Sequence, residues 1–450
     1  MPPEAAPAPR FHFLRNGDAA PASRDWQGGP AEVRKAISDA LNARNVAFLL
    51  GAGCSSLKVD GLEKGISTMQ ALAEEFCAAS LPPPETGDGA QEEWEVQSDE
   101  AETFDESSAE APASPWVLNA DELAYLAQIG VELKDNEYVR NLERLMEVLH
   151  SLRFVLRRSA KPAHQSRVAT VESIIAKVQA FLWARCTEGA FANGDNSVRD
   201  LYESFYRKLV LRDRSLPRPW VFTTNYDLFN ETAMDRLGLP YANGFSGVIE
   251  RRFNPATFRY ALAEQLDLTS RKWSAVDGFV YLCKLHGSIS WTEDDHGLFP
   301  IRELWPTDTP SKVMIFPTPA KQNSSLGSPY ADLFREFQSR IVREQSVLIT
   351  AGYAFGDEHL NNIIYQALTI PTFRLIIFAD PAAGGELGKL RALGDPRIWI
   401  IGGDGPAPGR RAHYFDTIIE HFLPQRPVER VDEAVRKVLE AMASSKGEPQ

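Results

Sequence analysis

The chain has 450 residues, which is enough to bury a large core and to form more than one domain. Hydrophobic residues make up 44% of it, as is ordinary for a globular protein, and no apolar run reaches the roughly 20 residues of a membrane span. The four cysteines form no C-x-x-C pair, which argues against a disulfide framework and a structural zinc site. Residues 1–10 lack the pattern of a signal peptide, so we expect a cytoplasmic protein.

The net charge of −13 comes mainly from one segment. Eleven acidic residues and no Lys or Arg lie between Glu85 and Glu110. Without them the chain holds 48 basic and 50 acidic residues, so the folded body is near neutral. This balance gives no broad basic footprint, and we expect no direct binding of nucleic acid.

The amino-terminal part begins with residues 1–29, which we predict to be a flexible or partner-bound arm. Residues 31–43 then have the pattern of a helix, and 46–50 form a short apolar strand. The next helix is predicted over 67–80, where apolar residues recur at helical spacing.

An insert interrupts this pattern. Residues 81–118 are rich in Pro, Glu, Ser and Ala and cannot bury enough apolar surface to offset their ordering entropy, so we predict disorder. Residues 119–215 show apolar spacings of three and four and predict an inserted helical subdomain. Its predicted helices are 121–129, 136–154, 169–186 and 198–211.

Strands and helices alternate in the second half of the chain. The predicted strands are 220–223, 279–285, 346–351, 375–378 and 398–401, and the predicted helices between them are 228–237, 332–344 and 358–368. This alternation predicts an α/β fold, a parallel sheet covered by helices on both faces. Functional loops then belong at the carboxyl ends of the strands. Residues 405–450 are predicted to be a helical extension, with an amphipathic helix over 428–443.

The first motif is a glycine loop, Gly51–Ala52–Gly53 with Ser55, directly after the strand over 46–50. Glycines at this position let the backbone approach a pyrophosphate, and the dipole of a following helix would assist. The third glycine of G-x-G-x-x-G is absent. Alone, the loop is equally typical of a tight turn between strand and helix.

The second motif is Thr223–Thr224–Asn225–Tyr226–Asp227. It places polar side chains at the carboxyl end of an apolar strand, where residues from Leu228 onward turn helical. Alone, this pattern favours helix capping by Asn225 or Asp227 over catalysis.

The third motif is Leu285–His286–Gly287–Ser288. His286 ends an apolar strand, where active sites gather in open α/β sheets. An imidazole at this position can act as a base near neutral pH.

The fourth motif runs from Gly352 to Asp357 and includes Phe355 and Gly356. It lies between a strand and a helix. Asp357 is equally suited to capping that helix and to contacting a ribose hydroxyl, and the two roles can coexist.

Together and in this order, the four motifs resemble those of the sirtuin-like family, in its divergent bacterial branch of antiphage defence. That branch shows G-A-G-x-S, T-x-N-Y-D, L-H-G-S and G-Y-x-F-G-D, and Met314–Ile315–Phe316–Pro317–Thr318 also looks like the family. The resemblance covers roughly residues 31–402. It implies a Rossmann-like NAD⁺-binding domain formed by 30–80 and 216–404.

The resemblance also implies roles for the matching residues. Asn225 would hold the water or ribose at the reacting face, and His286 would be the base that takes a proton. The cofactor would be NAD⁺ as substrate, with no metal. Its binding residues would be Gly51, Ala52, Gly53 and Ser55 at the pyrophosphate and ribose, Thr224 and Asp227 in the second motif, and Gly352, Phe355, Gly356 and Asp357 around the adenosine.

One departure changes the expected reaction. Sirtuins that remove acyl groups from lysine carry a zinc module with four cysteines at C-x-x-C spacing, which this sequence lacks. We therefore expect NAD⁺ hydrolysis to ADP-ribose and nicotinamide rather than protein deacylation. The alternatives are a non-catalytic sensor of NAD or ADP-ribose, and a deacylase.

The family branch implies an effector of abortive infection that a partner holds inactive. The expected partner is a HerA-like hexameric ATPase or, second, a short Argonaute protein. A homo-oligomer is expected as well. The helical insert and the predicted carboxyl-terminal helix are the candidate docking surfaces.

Overall fold

The computed structural model describes residues 8–17, 22–59, 62–81, 114–187, 194–213, 215–267, 272–293, 301–305 and 329–426. Most of the acidic segment, the Met314–Thr318 segment and the helix predicted over 428–443 lie outside these residues. The chain divides into two compact units, residues 1–68 with 183–450 and residues 69–182. Among the described residues, no helix is long and apolar enough to cross a membrane.

The strands all belong to the first unit. They are β1 (Arg10–Arg15), β2 (Ala22–Asp25), β3 (Asn45–Leu50), β4 (Ser56–Val59), β5 (Leu62–Gly65), β6 (Trp220–Thr223), β7 (Tyr241–Ala242), β8 (Phe245–Ser246), β9 (Arg251–Phe253), β10 (Ala263–Asp267), β11 (Lys272–Ala275), β12 (Val280–Lys284), β13 (Trp291–Glu293), β14 (Ile301–Glu303), β15 (Ser346–Ala351), β16 (Arg374–Phe378) and β17 (Ile398–Gly403).

The helices are divided between the units. They are α1 (Gly29–Ala40), α2 (Met69–Ser80), α3 (Ala120–Gln128), α4 (Asn136–Val139), α5 (Leu142–Arg157), α6 (Pro162–Thr187), α7 (Ser197–Leu209), α8 (Phe229–Leu237), α9 (Tyr330–Ile341), α10 (Glu358–Leu368), α11 (Gly385–Ala392) and α12 (Phe415–Thr417), which continues into a π-helical turn (Ile418–Phe422).

Nine strands form the main sheet, in the order β2-β1-β17-β16-β15-β3-β6-β12-β7. The pairings from β17 to β7 are parallel, and β1 is antiparallel to both of its neighbours. Numbered along the chain from β3, the six principal parallel strands lie in the order 3-2-1-4-5-6, which is that of a Rossmann-like doubly wound sheet. The direction of winding reverses between β3 and β15. Ligands of such sheets bind outside the carboxyl ends of the strands at this reversal.

Helices cover both faces of the sheet, as the apolar strands predict. Side chains alternate along β3, so neighbouring residues point to opposite faces. Leu49 belongs to the same apolar cluster as Phe337 of α9. Phe48 instead meets Phe205 of α7, with ring centroids 5.2 Å apart. The prediction of an α/β sheet buried on both faces is confirmed.

The prediction of a flexible arm over residues 1–29 is wrong for the described residues of that segment. β1 pairs with the last parallel strand, β17, and β2 pairs with β1 at the edge. The reason lies in the alternation of Arg10–Arg15, which places Phe11 and Phe13 in the interior. The ring of Phe11 packs 5.3 Å from that of Phe422 in the π-helical turn.

The predicted domain assignment is wrong for two helices, α7 and α2. α7 was expected in the helical insert but belongs to the first unit, where Phe205 covers the sheet. α2 was expected beside the sheet but belongs to the second unit, where Phe76 packs 5.4 Å from Phe181 of α6. Both helices are amphipathic, and amphipathicity reveals a buried face without revealing what buries it.

Candidate functional site

The four motifs begin at one edge of the sheet. The last residues of β3, β6 and β15 are in register, with Leu50 opposite both Thr223 and Ala351. Lys284 at the end of β12 is opposite Thr223 in turn. The loops that follow these four strands therefore emerge side by side, next to the reversal between β3 and β15.

Close backbone contact explains the glycines of the first and fourth motifs. A Cβ on Gly51 would lie 2.4 Å from the carbonyl oxygen of Gly352, and one on Gly352 would lie 2.6 Å from the amide nitrogen of Cys54. Gly352 also has a φ of +61°, a conformation that glycine adopts readily. The two loops thus pack against each other at the reversal point in a way that side chains would prevent.

No helix begins directly after the glycine loop, and the helix predicted over 67–80 begins only at Met69. Residues 52–54 form a single 3₁₀ turn, and the hairpin of β4 and β5 follows. The dipole contribution that the sequence suggested for a pyrophosphate is therefore wrong at this loop.

A chain of hydrogen bonds links the first and second motifs. The side-chain amide of Asn225 donates to the carbonyl of Gly51 and to the hydroxyl of Ser55, both at 2.9 Å. Ser55 in turn donates to Oδ2 of Asp227 at 2.6 Å. All three side chains are buried. Because both N–H groups of the Asn225 amide are used, its Oδ1 is the atom that can accept from a water or a ribose hydroxyl.

Asp227 is engaged on both oxygens. Oδ2 accepts from Ser55, and Oδ1 accepts from the backbone N–H of Phe229 at 3.1 Å, in the first turn of α8. The resemblance suggests that Asp227 either helps to orient the nicotinamide end or fixes the loop, and these two hydrogen bonds serve the second role. The backbone N–H of Thr224 donates to the carbonyl of Leu50 at 3.1 Å, which holds the start of this loop against the end of β3.

The third and fourth motifs meet through a buried histidine–aspartate pair. Nε2 of His286 lies 2.9 Å from Oδ2 of Asp357, and the two side chains are only 5% and 8% exposed. Oδ1 of Asp357 caps α10 by accepting from the backbone N–H groups of His359 and Leu360. The capping role is thus confirmed, and the second oxygen lies against His286. The contact with the adenosine side that the resemblance suggests stays a prediction.

The fourth loop is held in an uncommon backbone conformation. Phe355 has a φ of +58°, which non-glycine residues rarely adopt. Asn361 fixes it by donating to the carbonyl of Phe355 at 2.7 Å, while the hydroxyl of Tyr353 donates to Asn361 at 3.1 Å. Such conformations persist where the surroundings enforce them, most often beside functional sites. Gly356 separates this turn from Asp357.

Sequence reasoning missed a buried ion pair behind the second motif. Nζ of Lys284 lies 3.1 Å from Oε1 of Glu231 in α8 and contacts the backbone carbonyls of Tyr226 and Asp227. Burial raises the pKa of Glu231 to about 7, against the opposing effect of the Lys284 charge. The available signal was a lysine at the end of the otherwise apolar strand Val280–Lys284, since apolar strands of this kind are buried on both faces.

The cysteine of the glycine loop serves packing. Burial, together with the nearby charge of Asp227, raises the pKa of the Cys54 thiol. Its Sγ donates to the carbonyl of Ala351 at 3.2 Å. A thiol held in the neutral form beside a carboxylate is a poor nucleophile, so no chemical step is assigned to Cys54.

Fold and site together define a Rossmann-like domain with a buried polar site at the strand reversal. Within this domain, residues 219–371 match the family model described as SIR2-like domain. The match runs from β6 past α10 and includes Asn225, His286 and Asp357, while the Gly51 loop lies outside it. It supports a sirtuin-like protein with an NAD-related function, since SIR2 domains use NAD⁺.

A search of curated proteins gives no match to the chain. Among the residues that the structure describes, no cluster of three or more His, Cys, Asp and Glu side chains is arranged to hold a metal ion.

Proposed function

We propose that this protein is an NAD⁺ hydrolase that cleaves the bond between nicotinamide and ribose. The observation that carries the proposal is the meeting of two buried polar groups at one sheet edge. One is the hydrogen-bonded chain of Asn225, Ser55 and Asp227, and the other is the pair of His286 and Asp357. The first can position a nucleophile, and the second can accept a proton.

The reaction needs these two functions and little else. The bond between C1′ and the nicotinamide nitrogen breaks, and the bonding electron pair leaves with nicotinamide, which becomes neutral. The ribose passes through an oxocarbenium-like state, as in glycoside cleavage. The oxygen of a water molecule bonds to C1′ and loses a proton. The products are ADP-ribose, nicotinamide and that proton.

His286 is the group to which we assign the proton. A carboxylate can only accept hydrogen bonds, so Nε2 of His286 donates to Asp357 and the lone pair of the ring is on Nδ1. Asp357 thereby fixes the tautomer and stabilises the imidazolium that forms when Nδ1 takes the proton. Oδ1 of Asn225 accepts from the water or from a ribose hydroxyl, which orients the nucleophile or the sugar.

The burial of these groups suits a reaction that admits a single water molecule. Asn225, Asp227, His286 and Asp357 are each less than a tenth exposed. Exclusion of bulk water strengthens the electrostatic contacts that develop at the sugar. The proposed binding residues for the rest of NAD⁺ remain Gly51, Ala52, Gly53, Ser55, Thr224, Asp227, Gly352, Phe355, Gly356 and Asp357.

The two alternatives explain less of the site. A non-catalytic sensor of NAD or ADP-ribose would use the same loops but would not need a histidine oriented by a buried carboxylate. A protein deacylase would need a channel for acyl-lysine, which in sirtuins depends on the zinc module, and the C-x-x-C cysteines of that module are absent from the sequence.

We further propose that the enzyme is an effector of antiphage defence in the bacterial cytoplasm, where NAD⁺ depletion stops an infected cell. The support is the resemblance of the four motifs to the defence branch of the sirtuin-like family. Uncontrolled NAD⁺ cleavage would harm the host, so we propose control by a separate chain and by homo-oligomerisation. A HerA-like hexameric ATPase is the first candidate partner, and a short Argonaute protein is the second.

The test is nicotinamide release from NAD⁺ by the purified protein, alone and together with the product of the adjacent gene. His286→Ala and Asn225→Ala should each lower the rate by about 100-fold or more, because each removes a group from the reacting face. His150→Ala in the second unit and Asn16→Ala, whose buried amide donates to the carbonyl of Leu390, are the matched controls and should keep the rate. Tight NAD⁺ binding with no turnover under any of these conditions would favour the sensor.

A further inference from the structure

Lys284 is the centre of a polar cluster that lies behind the second and third motifs. Its side chain is 1% exposed, and four oxygens surround its ammonium group. Two are the backbone carbonyls of Tyr226, at 3.2 Å, and Asp227. The others are Oγ of Ser288 at 2.9 Å and Oε1 of Glu231 at 3.1 Å.

Stability alone does not account for such a pair. Moving an ammonium and a carboxylate out of water costs several kcal/mol for each ion, and well-packed apolar side chains at such positions are often as stabilising or more so. The chain neighbours of Lys284, Cys283 in β12 and Leu285 directly after it, are both buried and uncharged. A lysine at this position therefore calls for a reason beyond the packing of the strand.

The contacts of Lys284 indicate that reason. The carbonyls of Tyr226 and Asp227 belong to the two peptide groups that flank the Cα of Asp227. Fixing both sets the direction of the Asp227 side chain, which receives the hydrogen bond of Ser55. Ser55 in turn accepts from Asn225. The position of the Lys284 ammonium group therefore determines, through Asp227 and Ser55, how the side-chain amide of Asn225 is oriented.

The same ammonium also holds the histidine loop. Ser288, two residues after His286, accepts from Lys284, and the backbone N–H of Ile289 donates to the carbonyl of Tyr226 at 3.0 Å. The loops after β6 and β12 therefore share one anchor. This anchor therefore connects the loop of Asn225 to the loop of His286.

We propose that Lys284, held in place by Glu231, is a positioning residue that sets the catalytic loop of Asn225 against His286 during NAD⁺ cleavage. The inference rests on the proposed hydrolase function and deepens it. Lys284 does not touch the substrate. Its contribution is the alignment of two groups that must act on the same ribose, and misalignment by about 1 Å can cost about 100-fold in rate.

The decisive variant replaces both members of the pair, Lys284→Met with Glu231→Leu. Lys284→Met alone leaves a buried carboxylate without its cation and is expected to destabilise the fold. The double variant removes both charges and keeps similar side-chain volumes, so it should fold. Lys208→Met is the matched control, since Lys208 is also buried but donates to the carbonyl of Ile419 in the π-helical turn, at 2.7 Å.

Three measurements are made on each variant of the full chain, with its partner where one is required. They are the melting temperature, kcat and KM for nicotinamide release, and hydrogen exchange of the amides of residues 224–229. For the double variant we expect a folded protein whose melting temperature is lowered, as in Lys208→Met, because buried carbonyls lose their donor. We expect a kcat lower by about 10- to 100-fold, a KM changed by less than about threefold, and faster exchange. Lys208→Met should change neither kcat nor the exchange of these amides.

Glu231→Gln gives an answer if the double variant fails to fold. It keeps the shape of the side chain and the carbonyl contacts of Lys284, and it removes only the charge that holds the ammonium. We expect a kcat several-fold lower with an unchanged KM at pH 8, where Glu231 of the wild type is ionised. A kcat equal to that of the wild type at pH 8 would overturn the role given to Glu231.

The outcomes separate this inference from the proposed function. A folded double variant with wild-type kcat overturns the positioning role and leaves the hydrolase intact. A wild-type protein that releases no nicotinamide under any condition defeats the hydrolase. Hydrogen exchange still tests in that case whether Lys284 anchors the loop. Unchanged exchange of the amides of residues 224–229 in the double variant would overturn the anchoring role.

Discussion

Buried cations have different partners at the two edges of the main sheet, the amino-terminal edge where its parallel strands begin and the carboxyl-terminal edge where they end. At the amino-terminal edge, Lys208 binds the carbonyl of Ile419, and Arg212 donates to the carbonyls of Leu41, Ala43 and Arg44 at the end of α1. At the carboxyl-terminal edge, Lys284 binds two loop carbonyls, a serine hydroxyl and a buried carboxylate. The first arrangement satisfies the carbonyls at the ends of helices and turns. The second joins two loops that carry reactive side chains.

This difference distinguishes buried cations that stabilise the fold, Lys208 and Arg212, from one that serves the candidate site, Lys284. A carbonyl at the end of a helix lacks an intrahelical partner, and a cation is a suitable one. The loop carbonyls of Tyr226 and Asp227 have no such helix to complete. Their cation is itself accompanied by Glu231, whose burial is costly. An arrangement that costs stability next to polar side chains points to a requirement of the site.

The largest effect should come from separating the buried pair. Lys284→Met leaves Glu231 without its cation and should lower the free energy of unfolding by about 3–5 kcal/mol. Lys208→Met leaves the carbonyl of Ile419 without its donor and should cost about 1–3 kcal/mol. Urea unfolding of both variants and the wild type measures the difference. Equal losses would mean that the two edges use their lysines in the same way.

The next effect concerns the tautomer of His286. In Asp357→Asn, the amide oxygen can still cap α10, but the NH₂ group then faces Nε2 and requires the other tautomer of the imidazole. We expect kcat to fall by about 100- to 1,000-fold with little change in melting temperature, since Asn is as good a helix cap as Asp.

Asp395→Asn is the matched control for this variant. Asp395 is a carboxylate at the opposite edge of the sheet, where it pairs with Arg397. Its replacement should leave turnover unchanged. A wild-type kcat in Asp357→Asn would show that the carboxylate serves only as a helix cap.

Most of the carboxyl-terminal edge could be predicted from the sequence. The apolar strands over 220–223, 346–351 and 398–401 stand where the pattern places them, because buried parallel strands are short apolar runs with clear ends. The candidate residues Asn225 and His286 directly follow such strands. Parallel packing then brings them to one edge, so the site follows from the fold class.

The sequence could not reveal the partners of each side chain. Asp357 was equally suited to a cap and to a ribose contact, and its bond to His286 joins residues 71 positions apart. Lys284 and Glu231 are charged residues in an apolar strand and an amphipathic helix, and only the tertiary structure brings them together. The strand β1 was missed because its alternation is short and its pairing partner, β17, lies at the other end of the chain.

The pH dependence of stability sharpens the comparison further. Burial raises the pKa of Glu231 to about 7 in the folded protein, so between its ordinary value and pH 7 the folded state binds more protons than the unfolded one. The contribution of Glu231 to stability should therefore fall as pH rises from about 5 to 7, by up to about 1.4 kcal/mol per pH unit. The difference in unfolding free energy between wild type and Glu231→Gln across this range isolates the effect.

The neighbours of Glu231 act on its pKa in opposite directions. Lys284 on β12 lowers the pKa of Glu231, while Glu303 on β14 raises it. Burial raises the pKa values of Tyr206 on α7 and Tyr241 on β7, so both tyrosines stay neutral in this range. A slope that is the same in the wild type and in Glu231→Gln would mean that the carboxylate is already ionised throughout.

The smallest effect concerns backbone strain at the two ends of β15. Among the described residues other than glycine, Gln345 before the strand and Phe355 after it have positive φ angles, +53° and +58°. The side chain of Gln345 is exposed, so Gln345→Gly loses no packing and relieves the strain. Glycine also increases the conformational entropy of the unfolded chain, which offsets part of this effect. We expect a net increase of about 0.5 kcal/mol in the free energy of unfolding, with unchanged turnover.

The same exchange at Phe355 should not be stabilising, although the backbone conformation is alike. The ring of Phe355 is buried and packs 4.9 Å from that of Tyr353, and the lost packing outweighs the strain. Thermal unfolding and nicotinamide release of both glycine variants compare the two positions. A Gln345→Gly variant with a lower melting temperature or slower nicotinamide release would show that the positive φ at Gln345 also serves stability or turnover. The backbone conformations at the two edges would then not differ in function.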